Sequence, residues 1–279
     1  MTSRFHHVHS NTPQPSEQPV CVIKGNPPVR QALTGSCRGA RTVSDLAALR
    51  VPETDRVIIA KRFKAFIRDQ DFPCVGAKAA LAGDRLNVVV ACDIRSAWDD
   101  LRIYAAILDF AHAYEADPRL FQSLAVVFQS TAIGSEAEFE DALWTRLQSL
   151  SDKDVWHGQP YDPRVSPDPR SPHFSLSFGG QGFFVVGLNP KASRAARRFE
   201  HPAIVFNLHH QFEQLRSQGR YEKLRARILE RDAAIDGAPN PMLARHGEAS
   251  AAPQFSGRQV GEDWVCPFHP ARGSPALAS

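Results

Sequence analysis

The sequence predicts an α+β or α/β protein: a single mixed sheet of about five strands with helices packed around it. Three observations lead there. Short apolar runs rich in Val, Ile and Phe, each of strand length, recur along the chain. Longer stretches carry apolar residues at helical spacing. Gly, Pro, Asn and Asp clusters punctuate the boundaries between the two kinds.

The elements follow in order. Residues 1–42 are rich in Ser, Pro, Gly, Arg and His and read as a disordered tail, in which His6, His7 and His9 are a chance cluster. Ser44 can cap a short helix over residues 45–50. Residues 53–70 form an amphipathic helix with Val57, Ile58, Phe63, Phe66 and Ile67 as its apolar set. The Phe72-Pro73-Cys74-Val75-Gly76 stretch breaks it, so Cys74 falls on a turn, with Lys78 just inside the next helix over residues 76–82. Residues 86–92 are a strand whose unbroken apolar run suits cover on both faces. Residues 96–115 are a helix burying Leu101, Tyr104, Leu108, Phe110 and Ala111 in some combination, with Asp109 and His112 sharing a face. Residues 123–129 are another strand. Ser135 and Glu138 have capping-box spacing before a helix to about Leu150, with Phe139, Leu143, Trp144 and Leu147 inward. Residues 151–172, with five prolines, read as a long loop of the kind that often carries function. Residues 174–178 and 183–188 pair as a hairpin across Gly179-Gly180-Gln181-Gly182. Residues 203–206 are the last strand and residues 221–235 a charged amphipathic helix with Leu224, Ile228 and Leu229 inward. The Trp264-Val265-Cys266-Pro267-Phe268 segment should pack back onto the body, and residues 271–279 read as a disordered tail. Residues 43–270 therefore form one domain.

Composition limits the function classes. The 279 residues are 43% hydrophobic and 23% charged, ordinary values for a globular chain. The 33 basic residues are offset by 30 acidic ones and spread along the chain, which gives no case for a nucleic-acid partner. No apolar run approaches the roughly 20 residues that span a bilayer, and no secretory signal opens the chain, so the expectation is a cytoplasmic protein without a membrane partner. The five cysteines form no CxxC pair, which removes the zinc-ribbon, thioredoxin and covalent-haem motifs. Neither a GxGxxG nor a P-loop pattern is present.

The stretch from Phe183 to Arg216 gathers the chemistry. Two apolar strands end at Asn189 and at the His209-His210 pair, and Arg194, Arg197 and Arg198 lie between them. Strand ends beside a cationic turn are where α/β proteins build binding sites. His209 is a possible metal ligand, Cys266 and Cys74 possible thiolates, and a helix starting at His209 would put Glu213 on the same face.

The strings VSPDPRSPHFSLSFGGQGFFVVGLNPKASRAARRF, HPAIVFNLHHQFEQLR, NPML, QFSGR and WVCPF, with FPCVGAKAAL upstream, resemble the YqcI/YcgG family over residues 45–270. The one departure is Asn189, where that family is expected to carry His more often. Members include haem-dependent N-hydroxylases of guanidines, one of which makes N-hydroxyarginine in D-cycloserine biosynthesis. The resemblance implies a haem b cofactor, O₂ as co-substrate, an unidentified electron donor and a small guanidine substrate, L-arginine first among them. It implies an axial ligand from His209, Cys266 or Cys74, in that order. Haem propionates would be met by cations among Arg194, Arg197, Arg198, Lys78 and Arg258. A substrate guanidinium would be met by a carboxylate among Glu213, Asp232 and Asp109. The competing readings are a haem-binding or sensing protein without turnover, an N-hydroxylase of another guanidine, and a non-haem metalloenzyme, for which facial-triad spacing is missing.

Overall fold

A computed structural model describes residues 52–242 and 247–270. The expected tails, the cap at Ser44 and the cluster of His6, His7 and His9 lie outside the described residues. The elements are α1 (Glu53–Arg68), α2 (Val75–Ala82), β1 (Leu86–Ala91), α3 (Asp100–Ala116), β2 (Ser123–Phe128), α4 (Glu136–Trp156), β3 (Leu176–Phe178), β4 (Gln181–Leu188), β5 (Ala203–Leu208), α5 (His209–Ser217), α6 (Tyr221–Asp236) and α7 (Ala252–Phe255). Two 3₁₀ turns, Ala97–Asp99 and Ala195–Arg197, lead into α3 and follow β4.

The strands form one mixed sheet in the order β1-β2-β5-β4-β3. β1 and β2 run parallel, with Leu86 beside Ser123. β2 and β5, β5 and β4, and β4 and β3 are antiparallel. Period-two alternation divides the side chains between two layers. Leu124, Val126, Phe183, Val185, Ile204 and Phe206 join the core beneath α3 and α4, while Ala125, Val127, Leu188 and Ala203 face α1 and α2.

Two helices differ in register from the sequence expectation. On α1 the buried stripe is Ile59, Phe63 and Ile67, a strict i, i+4 series, and Val57 and Ile58 are exposed at 44% and 53%. On α3, Ile103, Ile107 and Tyr114 join Tyr104, Phe110 and Ala111 in the core, while Leu101 is exposed. The α4 helix continues six residues past Leu150 because Asp154 is fixed from outside: its carboxylate accepts the Tyr104 hydroxyl at 2.9 Å and the Gly179 N–H at 2.8 Å. The loop after it is correspondingly shorter than the proline pattern suggests. At the front of α4, Ser135 accepts the Glu138 N–H at 3.1 Å, a cap whose removal costs about 1 kcal/mol. The Glu138 carboxylate reaches back to the Gly134 N–H rather than to Ser135. Phe139, Leu143, Trp144 and Leu147 are all buried, as the spacing requires. The C-terminal segment does pack back, with Cys266 and Phe268 buried against Trp144 and its neighbours. Among the described residues no helix is long and apolar enough to cross a membrane.

Candidate functional site

The second layer is hollow. α6 packs on α2, α5 and the second 3₁₀ turn, and buries only Asp232. Between α6 and the sheet lies a cavity of about 310 Å³. Its floor is Phe184, Val186 and Leu188 of β4 with Val205 and Asn207 of β5. Leu224, Ile228 and Leu229 of α6 roof it, and Phe63, Phe72 and Phe121 close the side toward α1 and α2. A largely apolar cavity of this size with a few polar groups is the usual form of a small-molecule or cofactor site, at roughly 300–1,000 Å³.

Cys74 stands in the wall, at a place the sequence makes special. Pro73 ends the extended approach, and Cys74 is the N-cap of α2, where its sulfur accepts the Ala77 N–H at 3.4 Å. Two residues on, Gly76 has no side chain; a Cβ there would lie 3.9 Å from that sulfur, so the glycine keeps the space beside it open. The buried guanidinium of Arg197 acts on the same thiol. Burial holds the Cys74 thiol above its ordinary 9.0, and the Ala77 and Gly76 N–H groups and the Arg197 charge pull the other way. Helix N-terminus plus arginine is the environment that favours a thiolate, and a soft cation at the sulfur would tip the balance.

Arg197 is itself held by backbone. It donates to the Gly187 carbonyl at 2.9 Å and the Gln254 carbonyl at 3.2 Å, tying β4 to α7. Burial brings it down to about 10, opposed by Cys74 and Asp232. Arg194 also lines the cavity and pairs with Asp232 and, at 3.2 Å, with Asp236 of α6.

His209 also lines the cavity, at the first position of α5. Both ring nitrogens are engaged: Nδ1 is 3.1 Å from Ser175 Oγ, and Nε2 is 3.2 Å from Glu213 Oε1. Glu213 pairs in turn with Arg216. Burial lowers the His209 pKa below 6.5, against the pull of Glu213. His210 diverges, as neighbours must, and its Nδ1 meets the Tyr114 hydroxyl at 3.0 Å.

The residues singled out in the sequence therefore separate into two groups. Cys74, Arg194, Arg197, His209 and Asp232 share the cavity wall. Glu213 stands behind His209. The others lie away from the cavity. Cys266 is in the aromatic core under α4, where burial pushes its thiol up to about 12. Arg198 is taken up by the carbonyls of Ala192 and Ser193. Lys78 donates to the Gln70 carbonyl, Arg258 pairs with buried Glu140, and Asp109 is exposed on α3. Asn189 is buried and turns the chain after β4, its Oδ1 accepting the Lys191 N–H at 2.9 Å. The sequence reading missed Ser175, which nothing in its flanking pattern distinguishes, and Gly76, whose placement two residues after a helix-capping cysteine was a usable signal. Among the described residues no group of three or more His, Cys, Asp or Glu side chains gathers as a metal cluster.

The model of the YqcI/YcgG family aligns with residues 63–269, which include every residue of the cavity wall named above. No curated protein and no solved structure matches the chain.

Proposed function

The chain belongs to the YqcI/YcgG family, and on that premise we propose a haem-dependent oxygenase that hydroxylates a guanidine nitrogen, converting L-arginine to Nω-hydroxy-L-arginine. The observation that carries the reading is Cys74: a thiol at a helix N-terminus, beside a buried arginine, opening into a large apolar cavity. That donor fits haem iron with one protein ligand, and the largely apolar lining suits a macrocycle. Bound haem would supply the activation of O₂, with electrons from a donor protein or reductant, and thiolate ligation favours O–O cleavage.

The chain's own residues do the rest. Cys74 would hold the iron in this proposal, in preference to His209, whose two ring nitrogens already face Ser175 and Glu213. Arg194 and Arg197 are the wall cations suited to propionates. Asp232 already accepts the guanidinium of Arg194, which is the chemistry a guanidine substrate presents, so substrate binding would exchange one guanidinium for another. The phenylalanines of the wall exclude water from the reacting atoms.

The test uses the full-length protein supplied with haem, reductant, O₂ and L-arginine. The expected result is a thiolate-type haem spectrum, formation of Nω-hydroxy-L-arginine, and loss of bound haem in Cys74→Ala. Haem binding without product from arginine or other guanidines would leave the binding-only reading in its place. A Cys74→Ala protein with an unchanged spectrum, beside a His209→Ala protein that loses haem, would transfer the ligand role to His209.

A further inference from the structure

From Ser175, His209 and Glu213 we infer a proton relay that leads out of the cavity to solvent and acts as the general base toward the bound substrate; this deepens the oxygenase reading and rests on it for the identity of that substrate. The three groups form an unbroken line. Ser175 is buried and lines the cavity. Its hydroxyl is 3.1 Å from His209 Nδ1, and His209 Nε2 is 3.2 Å from Glu213 Oε1. The His209 side chain is 9% exposed and that of Glu213 is 45% exposed, so the line runs from the interior to water.

The Ser175–His209 hydrogen bond and the 3.2 Å contact of His209 Nε2 with the Glu213 carboxylate together suit one direction. A carboxylate accepts and cannot donate, so Nε2 carries the proton that faces Glu213, and Nδ1 is left with its lone pair toward Ser175. The Ser175 hydroxyl is then the donor to Nδ1. Burial keeps the ring neutral near pH 7, with Glu213 and Asp162 favouring the charged form and Arg216 and Arg164 opposing it. Arg216 also holds the Glu213 carboxylate in place from within the same helix.

The step balances without electrons. An N–H or N–H⁺ of the bound substrate gives its proton to Ser175 Oγ as the serine hydroxyl proton passes to His209 Nδ1. The Nε2 proton passes to Glu213, which returns it to water. One proton leaves the cavity and every residue regains its starting state once the ring tautomer resets. A guanidine substrate arrives as a cation and its nitrogen is nucleophilic only after losing a proton, which is the task such a base performs. Ser175, His209 and Glu213 are residues distinct from Cys74, and Ser175 and Cys74 both line the cavity, so the relay does not use the residue proposed to hold the iron.

Two measurements test it. In full-length protein with ¹⁵N-labelled histidine, NMR should show His209 neutral at pH 7 in the Nε2–H tautomer. Ser175→Ala should move the Nδ1 resonance while leaving the fold and the haem content intact. With haem, reductant, O₂ and L-arginine, Ser175→Ala and His209→Gln should each lower kcat by roughly 10²-fold or more at unchanged haem occupancy and remove the solvent deuterium isotope effect on turnover. An Nδ1–H tautomer, or full turnover with an unaltered pH profile in Ser175→Ala, would overturn the relay. So would loss of haem in His209→Gln alone, which would make His209 a ligand. A wild-type protein that binds no haem sinks the oxygenase reading separately, since the NMR tautomer still decides the relay.

Discussion

The two layers on either side of the sheet are built from similar elements and packed in opposite ways. Under α3 and α4 the space is filled: α4 buries ten residues, among them Phe139, Leu143, Trp144 and Leu147, and Trp144 stacks on Phe255 at 5.6 Å. In the same layer buried Asp100 is met by Arg146, Lys153 and Ser149. Across the sheet, the 16-residue α6 buries one residue, and that residue is an aspartate. α6 is held at its edges, by Arg194 to Asp232 and Asp236 and by Arg231 to the Phe72 carbonyl, rather than by a filled interface. One layer is filled and the other leaves a volume for something else to occupy, and Cys74, Arg197 and His209, each with a shifted pKa, line that volume.

The contrast can be broken most sharply by truncations to alanine on the two sides. Phe139→Ala removes a fully buried ring from the filled layer and should cost about 3–5 kcal/mol in urea unfolding. Ile228→Ala on the cavity roof, a side chain that is only half-buried in the protein without ligand, should cost under about 1 kcal/mol, because less apolar surface returns to water. Equal losses would mean that the cavity is a packing accident rather than a site. A ligand that fills it should raise the Ile228→Ala cost toward the core value.

Two glycines sharpen the same comparison at smaller scale. A Cβ at Gly187 would come within 2.7 Å of Phe139 and 2.9 Å of the Phe255 carbonyl, so Gly187→Ala overpacks the filled layer and should cost about 1–3 kcal/mol. A Cβ at Gly76 meets only ordinary contacts at 3.6 and 3.9 Å, and alanine suits a helix better by up to about 1 kcal/mol. Gly76→Ala should therefore be neutral or stabilising by calorimetry while lowering haem uptake, a separation of stability from function. If Gly76→Ala leaves haem uptake untouched, the space beside Cys74 is not part of the site.

The filled layer was the more legible of the two in the sequence. Its strands and α4 carry strong period-two and period-3.6 patterns, and Phe139, Leu143, Trp144 and Leu147 lie where those patterns put them. The expected helix-face pairing of His209 and Glu213 also appears, since i, i+4 spacing is local. Ranking Cys266 above Cys74 as a ligand was harder, because a Cys-Pro pair looks alike in a core and at a site. Only tertiary packing puts Cys266 among the aromatic rings under α4 and Cys74 in the wall of a cavity. The same holds for the cations: Arg198, Lys78 and Arg258 have their carbonyl or carboxylate partners within reach, and nothing in the spacing marks them off from Arg194 and Arg197.

The smallest expected effect is in acid stability, and it too divides the molecule. Burial lowers the pKa of both His209 and His210 from the ordinary 6.5. On acidification the unfolded chain takes up those protons first, so their contribution is fully present above pH 6.5 and is lost as pH falls from there through the folded values. Asp162 titrates in a separate window: against the pull of burial, hydrogen bonds from Arg164 and Gly182 hold it below 3.8, so its contribution is lost only in stronger acid. Unfolding free energy measured between pH 7.5 and 5 should therefore decline, and His209→Gln should flatten part of that slope. A slope unchanged in His209→Gln would assign the loss to His210 and Tyr114, on the α3 side, and remove His209 from the groups that answer to pH near neutrality.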